Sequence, residues 1–326
     1  SEYGQILAPV GFLLVRVWGS QLSTPLLLHV GYHKTATTWM QKLLFVPKYG
    51  FQQIAGHKEV HENIVAPHGL RFDPAPMREL IDKGVRSLSN ALVPVISSEI
   101  LSGHPFYGGI GSDVYADRLK QVAGDGRILV SVRSQTKVLV SVYMQYLLRG
   151  GTMNCADFFE GKTDFGYNAF RPEHFEYDRL VEYYQTLFGD ENVHVVTQES
   201  LKADMNAAAS DIAQFSDNTQ FTGLASEDRR VQAKSYPEYA VGVLRRVNHV
   251  QSSTLNPRPI VKIGHTPGGL YKFVGYTMKQ KLVERALGNY TPVSDYVQKR
   301  FAGHYAASNA RLFDLSRGRL DLSEYA

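Results

Sequence analysis

The stretch from Pro25 to Thr38 constrains the fold more than any other part of the sequence. Pro25–Gly31 (PLLLHVG) is an almost unbroken apolar run, which is typical of a strand buried on both faces of a parallel sheet. A threonine-rich turn follows, and a helical pattern begins at Thr37 and continues to about Phe45. A buried strand that passes through a short turn into a helix predicts the first unit of an α/β protein.

Three further apolar runs have the character of buried strands, and helical patterns alternate with them. The strands are expected at Leu92–Ser98, Arg127–Arg133 and Asn192–Thr197, and the helices at Asp113–Ala123, Thr136–Leu148, Phe175–Phe188, Met205–Phe215 and about Val293–Leu315. Strands that alternate with helices favour a doubly wound parallel sheet with flanking helices and right-handed crossovers. We therefore predict the α/β class.

The chain is expected to hold one main domain. Residues 1–24 are predicted to be an N-terminal extension, and residues 25–326 a single domain in which the basic segment 221–275 covers the cofactor or substrate as a lid. The longest apolar stretch, Ile6–Trp18, is interrupted by Pro9, Gly11 and Arg16. A membrane span needs about 20 apolar residues, so we expect none here.

Charge and cysteine content narrow the function classes. The formal net charge is +4 over 326 residues, which is too small to indicate a nucleic-acid partner but suits a protein that handles small anions. Cys155 is the single cysteine, which excludes an intrachain disulfide and a cysteine-based metal site. This content fits a reducing compartment, and we expect a cytoplasmic protein.

The turn Gly31–Thr38 (GYHKTATT) has the composition of an anion site. It lies where a doubly wound fold places anions, at the carboxyl end of a strand and the start of a helix. Lys34 adds a positive charge, and Thr35, Thr37 and Thr38 add hydroxyl groups. The turn is two residues shorter than a Walker A loop, and the strand Arg127–Arg133 ends in arginine rather than in an acid. A kinase with a degenerate P-loop and a catalytically silent nucleotide-binding module stay open as alternatives.

Gly31–Gln41 (GYHKTATTWMQ) resembles the 5′-phosphosulfate loop of sulfotransferases that use 3′-phosphoadenosine 5′-phosphosulfate (PAPS). The form of the loop is similar to that of the bacterial branch, which is related to the carbohydrate sulfotransferases. The resemblance implies that Lys34 contacts the oxygen that bridges phosphate and sulfate. It also implies that the other residues of this loop hold the 5′-phosphate. These residues are His33, Thr35, Ala36, Thr37 and Thr38.

A second signature of that family is a strand that ends in arginine, with a serine eight residues later on a helix. Arg133 and Ser141 match it, and the resemblance implies that both hold the 3′-phosphate of PAPS. An arginine can bind such a phosphate through two parallel hydrogen bonds. Arg230 and Lys234, together with Arg229, fall where relatives carry a basic loop against the cofactor, so we expect cofactor contacts from them as well.

Sulfuryl transfer requires a general base that takes the proton of the acceptor. Glu99, which follows the strand Leu92–Ser98, is the first candidate, and His104 is the alternative. The resemblance implies PAPS as the cofactor, adenosine 3′,5′-bisphosphate (PAP) as its product, and no metal. The expected acceptor is a hydroxyl group on a small molecule, carbohydrate or lipid, and an amine acceptor stays open.

Overall fold

The computed structural model describes residues 25–89, 91–163, 169–229, 236–259 and 264–325. The N-terminal extension and the two predicted cofactor ligands Arg230 and Lys234 lie outside the described residues. The predicted lid is described in part, and its role stays a prediction.

Parallel strands in the order β2–β3–β1–β4–β5 form the sheet. The strands are β1 (Leu27–Gly31), β2 (Phe51–Ala55), β3 (Val93–Ser97), β4 (Arg127–Val132) and β5 (Val193–Thr197). Four of them were predicted, and the predicted α/β class with a parallel sheet is confirmed. Strand β2 was missed because its sequence, FQQIA, is short and carries two glutamines; it lies at the edge of the sheet, where its central residues are half-buried.

The helices follow the predicted alternation. In the described residues they are α1 (Thr37–Trp39), α2 (His57–Val60), α3 (Ala75–Arg86), α4 (Ser112–Ala123), α5 (Gln135–Leu148), α6 (Cys155–Phe159), α7 (Tyr177–Phe188), α8 (Gln198–Ala203), α9 (Met205–Phe215), α10 (Val241–Val250), α11 (Gly269–Met278), α12 (Lys281–Leu287), α13 (Pro292–Phe301) and α14 (Ala306–Leu315). The predicted helix at 293–315 is two helices, because the chain turns between them at Gly303, whose φ is 66°.

The helix after β1 and the helix after β4 cover opposite faces of the sheet. Leu27 and Leu129 pack with Trp39 and Met40, which belong to α1 and the π-helical turn Met40–Leu44 that extends it. On the other face of the sheet, Val138 and Val142 of α5 pack with residues of β1 and β4, among them Val30, Val130 and Val132. The chain therefore leaves β1 and β4 toward opposite faces, which opens a crevice between their carboxyl ends.

The crevice has two walls, the turn Tyr32–Ala36 after β1 and the turn Arg133–Ser134 after β4. Strand β1 pairs with β4 along its whole length, from Leu27 beside Arg127 to Gly31 beside Ser131. Since parallel strands in this register end at the same edge, the two predicted phosphate-binding motifs face one another. In the part of the chain that the structure describes, no helix is both long enough and apolar enough to cross a membrane.

Candidate functional site

The turn after β1 presents a row of backbone N–H groups. Lys34 and Ala36 adopt left-handed conformations, with φ of 68° and 67°. Left-handed residues alternating with ordinary ones turn successive N–H groups toward one concave side, which is an anion-binding arrangement. Among the described residues, no hydrogen bond occupies the backbone N–H of any residue from His33 to Thr38. Each left-handed non-glycine residue costs about 1–2 kcal/mol, so the surrounding contacts must hold this turn in place.

Contacts with β4 hold the turn. The Thr35 hydroxyl is buried; it donates to the carbonyl of Tyr32 at 2.6 Å and lies 2.7 Å from the Ser131 hydroxyl. The backbone N–H of Tyr32 donates to the carbonyl of Ser131 at 3.0 Å. Gly31 permits the close approach, because a Cβ there would lie 2.3 Å from Cγ2 of Thr37 and 2.8 Å from the Ser131 hydroxyl. The side chain of Thr35 therefore fixes the turn, while its backbone N–H has no hydrogen-bond partner among the described residues.

Arg133 extends across the crevice from the end of β4. One terminal nitrogen donates to the Ser141 hydroxyl at 2.9 Å and lies 3.4 Å from the carbonyl oxygen of Lys34. The Ser141 hydroxyl in turn donates to the carbonyl of Lys137. The Nε of Arg133 is buried and has no hydrogen-bond partner among the described residues. The arginine is thus aimed by Ser141 and keeps donors free for a ligand.

The positive charges of Lys34 and Arg133 have no carboxylate at ion-pair distance among the described residues. The pKa of Lys34 is lowered, first by the protein around its ammonium group and then by repulsion from Arg133 and Arg149. Burial also lowers the pKa of Arg133, while the charge of Glu199 opposes this shift. An anion between the two loops would relieve the repulsion.

Glu99 lies at the next strand end. It begins the 3-10 turn Glu99–Ser102, which the Ser102 hydroxyl ties to the carbonyl of Gly31 at 3.2 Å. The side-chain amide of Gln41, on the π-helical turn after α1, donates to the Ser97 hydroxyl at 3.2 Å and to Oε2 of Glu99 at 3.4 Å. The half-buried carboxylate is therefore oriented by a side chain of the helical segment that follows the turn after β1.

His104 packs beside this turn, and its imidazole ring is neutral near pH 7. Its ring lies 4.7 Å from the ring of His33, and its Nδ1 accepts the backbone N–H of Phe106 at 3.2 Å. Burial, followed by the charge of Arg149, lowers the pKa of His104 to about 4. The ring is neutral near pH 7, and the hydrogen bond to Nδ1 assigns its proton to Nε2. In this state the outer nitrogen donates a hydrogen bond rather than accepting a proton.

His33 packs into the wall of the turn. Its Nδ1 is buried without a partner among the described residues, and burial holds its pKa well below the usual range, with His104 as the next cause. Arg229, the described member of the predicted basic loop, donates through its guanidinium group to the carbonyl of Leu224. Thr37 is buried, and Thr38 is exposed at the start of α1.

Two polar residues at this edge were missed by the sequence analysis. Gln198, directly after β5, donates to the carbonyl of Lys34 at 3.2 Å, and Gln41 orients Glu99. Gln198 could have been found from its position, since it follows a predicted strand whose end lies at the same sheet edge. Gln41 offered no such signal, because its role depends on a long side chain that reaches β3 from a neighbouring helix.

Fold and site together define a class: an α/β protein with a cationic strand-to-helix turn at the switch point of a parallel sheet. No protein-family model and no curated protein matches the chain. Among solved structures, a sulfotransferase from Alicyclobacillus acidocaldarius is similar at 16% identity, over 91% of this chain and 97% of that chain, with a TM-score of 0.48. The mouse sulfotransferase SULT7A1 complexed with PAP is similar at 12% identity, over 88% of each chain, with a TM-score of 0.38.

Proposed function

We propose that the protein is a sulfotransferase that moves the sulfuryl group of PAPS to a hydroxyl group of an acceptor. The observation that carries this proposal is the turn His33–Thr38, whose free N–H groups and Lys34 face the free donors of Arg133 across one crevice. PAPS carries one phosphate at the 5′ position and one at the 3′ position of its ribose, and two separate anion sites match that distribution. The resemblance of both motifs to the PAPS-binding loops points to the same ligand.

The 5′ side of the ligand is assigned to the first turn. The N–H groups from His33 to Thr38 bind the 5′-phosphate, as expected for amide groups at a strand-to-helix turn. Lys34 neutralises the charge that develops on the leaving phosphate, which is the largest electrostatic requirement of the reaction. Its pKa is lowered first by the protein around the ammonium group and then by repulsion from Arg133 and Arg149, and a bound phosphate would favour its charged form.

The 3′-phosphate is assigned to Arg133. Its buried Nε has no protein partner in the described residues, and a terminal nitrogen is held 2.9 Å from the Ser141 hydroxyl. Such a guanidinium can donate two parallel hydrogen bonds to one phosphate. Ser141 accepts from Arg133 and donates to the carbonyl of Lys137, so we assign it mainly the role of positioning the arginine. Arg230 and Lys234 stay predicted ligands, since they lie outside the described residues.

Glu99 is proposed as the general base. A carboxylate held by Gln41 at the end of β3 can accept the proton of an acceptor hydroxyl as its oxygen bonds to sulfur. His104 is the weaker candidate, because its accessible Nε2 already carries the proton of the neutral ring. We therefore assign His104 to the wall of the acceptor site. PAPS supplies the sulfuryl group, and the acceptor is a small molecule, carbohydrate or lipid.

A transfer assay with ³⁵S-labelled PAPS tests this function. The wild-type protein is incubated with separate pools of carbohydrate, lipid and phenolic hydroxyl compounds, and labelled product is separated from PAPS. We expect label transfer by the wild type, a loss of at least about 100-fold in Lys34→Ala, and a similar loss in Glu99→Gln with PAP binding retained. The folded state of each variant is checked by thermal unfolding.

Two matched control variants test whether the loss of activity is specific to Lys34 and Glu99. Lys83→Ala removes an exposed lysine from α3, and Glu79→Gln neutralises an exposed carboxylate on the same helix. Both should transfer label like the wild type. Wild-type turnover in folded Lys34→Ala would contradict the leaving-group role. Turnover that survives in Glu99→Gln but disappears in His104→Ala would assign the base to His104.

A further inference from the structure

Helix α11 has two faces of different character. Its inner face packs on α10: Tyr271 is buried in a cluster with Leu244 and Val247, and Val274 packs against it. Gly275 allows the contact with Tyr236, because a Cβ at Gly275 would lie 2.1 Å from that ring. This inner packing fixes which residues point outward.

The outward residues are large and apolar or aromatic. Phe273 is 64% exposed and Tyr276 67%, and on the following helix Leu282 is 78% exposed. All residues of α12 except Val283 are exposed, and none is buried. We call these outward side chains, with the lysines between them, the α11–α12 face; its members are Lys272, Phe273, Tyr276, Lys279, Lys281 and Leu282.

The α11–α12 face also concentrates positive charge. The segment from Gly269 to Leu287 contains four cations, Lys272, Lys279, Lys281 and Arg285, and one acid, Glu284, which gives +3. The whole chain carries +4, so most of its net charge falls on this short segment. Within the described residues none of these four cations forms an ion pair with a carboxylate; Lys279 lies over the ring of Tyr236, with Nζ 4.7 Å from its centroid.

We propose that the α11–α12 face binds the surface of a membrane that contains anionic lipids. Exposed aromatic and leucine side chains insert at the boundary between headgroups and acyl chains, while flanking lysines bind the anionic headgroups. A second copy of the chain fits the face less well. A symmetric contact would bring the same cations of both copies together, and like charges at an interface oppose association.

The position of the face relates it to the anion-binding crevice. Helix α11 packs on α10, and α10 packs on α5, which carries Ser141. Asn248 of α10 donates to the carbonyls of Leu147 and Gly151 at the end of α5, and this buried contact joins the two helices firmly. A membrane-bound molecule would therefore hold the crevice at a fixed position relative to the lipid surface. Membrane binding requires no sulfuryl transfer, so the two proposals can fail independently.

Vesicle sedimentation of the full chain tests this inference. Vesicles of phosphatidylcholine mixed with phosphatidylglycerol are compared with vesicles of phosphatidylcholine alone, at low and high salt. We expect partition onto the anionic vesicles that decreases with salt. Lys272→Gln/Lys279→Gln should weaken partition about 30-fold, and Phe273→Ser/Tyr276→Ser at least about tenfold. The controls Leu70→Ser and Lys83→Gln change an exposed apolar residue and an exposed lysine elsewhere and should bind like the wild type.

The inference is overturned if the wild type does not bind anionic vesicles, or if both double variants bind as it does. It is also overturned if light scattering shows a wild-type dimer that Phe273→Ser/Tyr276→Ser dissociates while vesicle binding is absent. Should a double variant fail to fold, Leu282→Ser replaces it, because that residue is 78% exposed. Leu282→Ser should weaken partition severalfold.

Discussion

At the scale of single residues, the site depends on polar groups that the protein leaves without partners. Arg133 keeps a buried Nε without a hydrogen bond, and Lys34 has no carboxylate at ion-pair distance in the described residues. Buried donors without partners destabilise a folded protein by about 1–3 kcal/mol each. This cost applies to Arg133, since Lys34 is exposed, and the anionic ligand that we propose would satisfy the arginine and neutralise the lysine.

Arg133 and Ser141 should contribute unequally to PAP binding. We expect Arg133→Ala to weaken PAP binding by about 1.5–3 kcal/mol, since a charge-assisted pair is lost, and Ser141→Ala by about 0.5–1.5 kcal/mol. Calorimetric titration with PAP measures both, and adenosine 5′-monophosphate, which lacks the 3′-phosphate, is the control ligand. Equal losses for the two ligands would contradict the assignment of Arg133 to the 3′-phosphate.

The lowered pKa of Lys34 predicts the alkaline limit of PAP binding. Because Arg149 repels the ammonium group, Arg149→Gln should raise the pKa of Lys34, and PAP affinity should persist to higher pH than in the wild type. Arg149→Lys keeps a positive charge and should resemble the wild type. The dissociation constant of PAP is measured from neutral to alkaline pH. An unchanged alkaline limit in Arg149→Gln would show that Arg149 does not act on Lys34.

At the scale of elements, four of the five strands were predictable because each apolar run is local in the sequence, and the two motifs proposed to bind anions could be located for the same reason. The apolar run before Gly31 and the turn after it lie within one β-α unit, and Arg133 follows directly on a predicted strand. Strand β2 was not predictable in the same way, since its glutamines tolerate only an edge position. The link between Glu99 and Gln41 also escaped, because it depends on the tertiary packing of a helix against β3.

The close contact between β1, β4 and the anion-binding turn gives a prediction at this scale. Gly31→Ala places a methyl group 2.3 Å from Cγ2 of Thr37 and 2.8 Å from the Ser131 hydroxyl, so the turn must shift. We expect a loss of about 1–3 kcal/mol in unfolding free energy, as for overpacked cores, and weaker PAP binding. Urea denaturation and PAP titration measure the two effects. Gly69→Ala is the control, because its Cβ would meet no atom within 4 Å.

At the scale of the whole molecule, buried neutral histidines couple stability to pH. His29 lies inside the sheet, with its ring nitrogens 2.8 Å and 3.1 Å from the hydroxyls of Ser97 and Ser131. Burial lowers the pKa of His29 to about 3 and that of His174 to about 3. Between pH 6.5 and about 3 the unfolded chain binds protons at these sites and the folded chain does not, so stability decreases as pH falls.

Replacing His29 should remove part of this acid sensitivity. From pH 7 to pH 5, His29 alone should reduce the free energy of unfolding by about 2 kcal/mol. His29→Gln is expected to be less stable than the wild type near pH 7, but its stability should depend less on pH by that amount. Ser97→Ala, which keeps the imidazole, should retain the wild-type dependence. Urea denaturation at both pH values checks this, and parallel curves for the wild type and His29→Gln would contradict it.

The central claim is that the crevice binds a ligand with both a 5′- and a 3′-phosphate. A thermal unfolding titration tests it most directly, with PAP, adenosine 5′-monophosphate and ATP with Mg²⁺ compared at equal concentrations. Saturation with PAP at about 100 times its dissociation constant should add about 2.7 kcal/mol and raise Tm by several degrees, with much smaller effects of the other two ligands. A shift with ATP and Mg²⁺ alone, equal shifts with PAP and the monophosphate, or no shift at all would contradict the account.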